Sequence, residues 1–164
     1  MSFHFYRKPM IASATALANL LKKYECYGEN LVYPENEEEL YETAIANTTL
    51  ITSALTRIRT AVENVQEKVN KMEDQYSNAK KSDQKDLISE LHEIDKESQY
   101  SQHLASAEEF IHTLEGQLTD AKVNLGRAQR KLKLPSPSGG IENASIHSTN
   151  GSNWSYYLAK APWL

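Results

Sequence analysis

Between Glu35 and Glu115 the chain contains neither glycine nor proline. A sheet protein needs turns at intervals of roughly 8–12 residues, and turns draw on those two residue types. A stretch this long without a breaker therefore belongs to helices, and the expected class is all-α. The six glycines and five prolines of the 164-residue chain all lie outside that stretch. Pro9, Gly28 and Pro34 precede the stretch, and Pro135, Pro137, Gly139 and Gly140 follow it.

Within the stretch the apolar residues keep helical time. Ala44, Thr48, Ile51, Leu55, Ile58, Val62, Val65, Val69, Met72, Tyr76 and Ala79 alternate spacings of four and three. That is the heptad spacing that holds one apolar stripe against a partner helix. Asn36 before Glu37-Glu38-Glu39 has the form of an N-cap with a capping-box glutamate, so the helix is expected to start there. The pattern lapses at "AKKSDQKD", where Ser82 or Asp83 reads as a new N-cap. A second seam runs through Leu87, Leu91 and Ile94 and resumes at Leu104, Ala107, Ile111, Leu114, Leu118, Ala121, Leu125, Ala128 and Leu132. The polar "DKESQYSQH" between its halves shifts the phase by three residues. With no glycine or proline there, a continuous helix is expected. Gly116 and Gly126, inside that helix, read as points of close backbone approach.

Two arms of nearly equal length, 36–80 and 84–132, joined by a short turn are expected to fold back as a long antiparallel two-helix hairpin, coiled-coil-like. The rival is a longer parallel coiled coil of two chains. The centre of the helix–helix seam is expected at Ile51, Leu55, Ile58, Val62, Val65 and Val69, with Leu114, Leu118 and Leu125 on the return arm. A shorter helix over 9–27, with Met10, Ala14, Leu17, Leu21 and Tyr24 on one face and Pro9 in its first turn, would cover part of it. The segments are then 1–34, an arm with a short helix; 35–133, the hairpin; and 134–164, a Ser/Asn/Gly-rich tail expected to be disordered. The tail ends in Trp154, Tyr156, Tyr157 and Trp163, a candidate contact for a partner.

The chemistry-bearing residues are sparse. Glu109 and His112 have the Glu-x-x-His spacing of helix-bundle metal sites, but neither His92 nor His103 has a glutamate three residues before it. No metal, cofactor or catalytic residue is expected, and the chain reads as a non-enzyme. A net charge of −4 gives no electrostatic footprint for nucleic acid. Arg127, Arg130, Lys131 and Lys133 sit where they complement a helix C-terminus. No apolar run is long enough to span a membrane. Arg7, Lys8, Lys22 and Lys23 give the first helix a second possible use on an anionic membrane surface, beside packing on the hairpin. The one cysteine, Cys26, excludes an internal disulfide and suits a reducing, cytoplasmic setting. The expected partner is protein, either a second copy or another helix.

One stretch carries order beyond composition. A heptad-rich region running into Lys131, Leu132, Leu134, Pro135, Pro137 and Gly139, with Trp154, Tyr156 and Tyr157 beyond, resembles the N-terminal Gag-like region of BEL/Pao-type retrotransposon polyproteins. In that family a helical segment meets a motif of the form K-L-x-L-P-x-F/P-x-G-D, and a Trp/Phe-containing helix follows. Here no phenylalanine precedes the glycine, no aspartate follows Gly140, and Trp154 lies farther on. The resemblance implies a structural assembly segment without catalysis. The alternative from a different class is a cytoplasmic coiled-coil adaptor or tether that presents its aromatic tail.

Overall fold

The computed structural model describes residues 2–133, and 89% of them are helical. Four α-helices follow one another: α1 (His4–Lys23), α2 (Glu37–Asn78), α3 (Lys81–Ser98) and α4 (Tyr100–Leu132), with a short 3-10 turn at Glu25–Gly28. No strand occurs among the described residues. The fold is the expected helical hairpin: α2 is one arm, and α3 with α4 form the returning arm. The expected tail, including Trp154, Tyr156, Tyr157 and Trp163, lies outside the described residues.

The described residues form two compact units, each built from separate stretches of chain: 2–25 with 56–112, and 26–55 with 113–133. In the first, α1 packs on α3, and the end of α2 turns directly over into α3. Its core holds Phe3, Met10, Leu17, Ile58, Val65, Met72 and Leu87, all fully buried. In the second, the start of α2 lies against the end of α4, and the core is Leu40, Ala44, Ile51, Ala54, Leu114, Ala121, Leu125 and Ala128. Lys131 near the end of α4 reaches Glu37 at the start of α2 at 3.6 Å, so the two helices run antiparallel there.

Helix ends follow their local chemistry. The Asn36 side-chain oxygen accepts the N–H groups of Glu38 (3.0 Å) and Glu39 (3.1 Å), the expected cap of α2. The expected cap of α3 at Ser82 or Asp83 is not the one used. Lys80 is the capping residue, without a side-chain bond, and its carbonyl accepts from Asp83 and Gln84. The side chain that closes the turn is Gln84, whose Nε2 donates to the carbonyls of Tyr76 (3.2 Å) and Ala79 (3.4 Å) at the end of α2. At its far end α4 stops where the basic residues and Pro135 predict: Leu132 is its last residue and Lys133 is left-handed, with φ 54°.

Three other expectations are corrected. The first helix spans His4–Lys23 rather than 9–27, because it is anchored upstream by the fully buried Phe3, whose carbonyl accepts Tyr6 N–H at 2.8 Å. Pro9 thus lies in its second turn, where its ring nitrogen cannot donate to Phe5. The returning arm is not continuous: it breaks at Gln99, which adopts φ 55°, ψ 32°. Nor does another backbone approach the helical glycines among the described residues. A Cβ on Gly116 would meet nothing within 4 Å, and one on Gly126 would meet only the Arg130 side chain at 3.4 Å.

Candidate interaction surfaces

The nine seam positions divide between the two units. In the second unit Ile51, Leu55, Leu114 and Leu125 are buried and Leu118 is half-buried. In the first, Ile58, Val65 and Val69 are buried and Val62 is half-buried. This chain therefore covers its own seam, as a hairpin does and a two-chain parallel coiled coil does not. The apolar face of α1 is likewise consumed: Met10, Ala14 and Leu17 are fully buried. That is the face a membrane surface would have taken, and Arg7 is engaged with Glu97 at 2.6 Å.

The junction of α1 and α3 carries polar order that the residue pattern does not announce. The Glu90 carboxylate accepts both the Ser2 hydroxyl (2.8 Å) and the Phe3 backbone N–H (2.6 Å). The latter would otherwise be an orphan donor at the start of α1. Ser2, His4, Arg7, Glu90, Glu93 and Ile94 line a half-open groove there. The only hint in the sequence was Phe3, Tyr6 and Met10 at spacings of three and four, which continue the face of α1 upstream.

The helix break forms a second polar site. Gln99 N–H donates to Asp95 O (2.6 Å), Tyr100 N–H to Ser98 Oγ (3.3 Å), and Ser101 N–H to an Asp95 carboxylate oxygen (3.1 Å). Ser98 in turn donates to Ile94 O at 2.7 Å. The ends of both helices are thereby satisfied by Asp95 and Ser98 rather than by glycine. His92, Lys96 and Gln102 edge an open groove beside the break. Burial raises the Tyr100 hydroxyl above the ordinary tyrosine value, with Asp95 adding to the effect.

Among the described residues of the second unit, the buried Tyr33 Oη, Thr48 Oγ1 and Gln129 Nε2 make no hydrogen bond of ordinary geometry. Burial pushes the Tyr33 hydroxyl upward as well, tempered by neighbouring Asn47. Lys122 is pulled below the usual lysine value by the same desolvation. On the outside, Val32 (85% exposed) and Val123 (64%) stand in water, as Phe5 (82%) does on the first unit. Cys26 is exposed. Glu109 and His112 both lie on solvent-facing positions of α4, and among the described residues no three His, Cys, Asp or Glu side chains converge as metal ligands. No described helix is long and apolar enough to cross a membrane.

No protein-family model, no curated protein and no solved structure matches the chain.

Proposed function

We propose that this chain is a non-catalytic helical interaction and assembly protein, of the kind that a Gag-like segment of a BEL/Pao-type retroelement supplies. The observation that carries the reading is the closure of the apolar seam within one chain. Ile51, Leu55, Ile58, Val65 and Val69 are spent on making a self-sufficient scaffold. What such a scaffold offers to the outside is its charged and partly apolar outer faces. The Lys131–Gly139 stretch adds the ancestry, and the lone exposed Cys26 suits a reducing, cytoplasmic setting.

Static light scattering of the full chain over a wide concentration range tests the assembly. Mass rising with concentration is expected, and a monomer throughout overturns it. Genomic sequence downstream of the reading frame tests the ancestry, since a protease or reverse-transcriptase frame there is expected of a retroelement. A second reading, an adaptor or tether presenting Trp154, Tyr156, Tyr157 and Trp163, draws on the same seam closure, because a scaffold that needs no second copy can act alone. A monomer whose partner binding is lost on deleting 134–164 decides for it.

A further inference from the structure

In the unit made of 26–55 and 113–133, α2 and α4 each turn one stripe toward the core and another toward solvent. The outward stripe of α2 is Glu39, Glu42, Ala46 and Leu50, all exposed, and that of α4 is Val123, Arg127 and Arg130, also exposed. At about 100° per residue these stripes lie nearly opposite the core positions on their own helices. They therefore face away from each other, one from each side of the unit. One ends in carboxylates and the other in guanidiniums. Among the described residues none of Glu39, Glu42, Arg127 and Arg130 is in an ion pair.

We propose that these two faces dock on each other between copies of this chain, so that the α2 face of one copy meets the α4 face of the next. The proposal rests on the assembly reading above and names the surface. Register supports it. The Glu37–Lys131 pair sets the levels of the antiparallel helices. With equal rise on both, Glu39 stands level with Arg130, Glu42 with Arg127, and Ala46 with Val123, each to within about one residue. A copy placed alongside, without sliding along the helices, therefore brings two arginines to two glutamates. It also brings the exposed valine to a small alanine that leaves room for it, with Leu50 one turn farther on.

Because the two faces differ and lie on opposite sides, the contact is heterologous and each docked copy presents a fresh face. Such contacts grow into open rows or close into rings rather than stopping at a dimer. The charge pairs would be solvent-exposed at their rim, so each is weak and screened by salt.

Sedimentation equilibrium of the full chain provides the test. Association is expected at about 0.02 M salt and its loss at about 0.5 M, where screening is strong. Two charge-reversed variants are then compared, Glu39→Arg with Glu42→Arg, and Arg127→Glu with Arg130→Glu. Each alone presents like charge on both faces and is expected to stay monomeric with unchanged helicity. Mixed in equal amounts they are expected to associate again, because each carries the complement of the other. If the unaltered chain is monomeric at every concentration, both this inference and the assembly reading fall. If it associates but the variants associate equally well, only this surface is wrong.

Discussion

The backbone N–H of Phe3 donates to the Glu90 carboxylate at 2.6 Å, and the Phe3 ring beneath it is wholly buried. A residue three positions into the chain thus spans 87 residues of sequence to join α1 to α3. The apolar and polar parts of this joint should separate on mutation. Phe3→Ala removes a buried ring and is expected to cost about 3 kcal/mol of unfolding free energy. Glu90→Gln keeps an acceptor but loses its charge, at a site partly open to water, and is expected to cost about 1 kcal/mol. Urea denaturation followed by circular dichroism measures both. Equal effects would mean that burial of the ring contributes no more than the charge of Glu90.

Gly116 lies in the interior of α4 with open space where a Cβ would be. Glycine in such a place carries only its conformational cost, so Gly116→Ala is expected to stabilise the protein by about 0.5–1 kcal/mol. Gly126→Ala should follow with a gain no larger, because its Cβ touches the flexible Arg130 side chain at 3.4 Å. Thermal unfolding that moved downward for Gly116→Ala would show a neighbour at that face, such as a second chain.

What the sequence revealed and concealed follows from the range of the forces involved. The hairpin was legible because its signal is periodic and summed over dozens of residues: Ala44 to Met72 keeps its spacing and nearly all of it is buried. The cap at Asn36 was legible because it is local and acts over three residues. The Phe3–Glu90 joint was not, since nothing near either residue announces a partner so distant in sequence. The break at Gln99 was half legible. The phase slip was visible, but the inference from absent glycine failed because Asp95 and Ser98 satisfy the exposed backbone groups that glycine motifs usually serve. The outward stripes on α2 and α4 were not legible as a matched pair: Glu39 reads locally as a capping residue and Arg127 and Arg130 as complements of a helix C-terminus, and it takes the pairing of Glu37 with Lys131 to bring them into register.

Gln99 is held at φ 55° although it has a side chain. The left-handed region costs such a residue about 1–2 kcal/mol, while glycine enters it freely but loses more entropy on folding. Gln99→Gly is therefore expected to stabilise the protein modestly, by about 0.5 kcal/mol. Gln99→Val, β-branched, is expected to destabilise it by about 1 kcal/mol or more, in line with the rarity of that conformation for branched residues. Equilibrium denaturation of both variants checks the pair. Were the break instead to heal into a straight helix, valine would be tolerated and glycine harmful, and the ranking would invert.

Tyr33 and Tyr100 both titrate above the ordinary tyrosine value in the folded protein, chiefly because burial disfavours the phenolate. The folded state thus holds these protons at a pH where the unfolded chain has begun to release them. Their contribution to stability is complete below about pH 10, the unfolded value, and is lost as pH rises through that point toward the folded value. Lys122, pulled downward by burial, works in the opposite direction, so the unaltered protein shows the sum. The tyrosines are isolated by difference. Tyr33→Phe and Tyr100→Phe should each flatten the fall in stability between about pH 9 and 11. At neutral pH Tyr33→Phe is expected to be close to neutral, because among the described residues its hydroxyl makes no hydrogen bond of ordinary geometry and has only Asn47 beside it. Denaturation midpoints collected across that pH range decide the matter, and an unchanged slope in both variants would place the alkaline loss elsewhere.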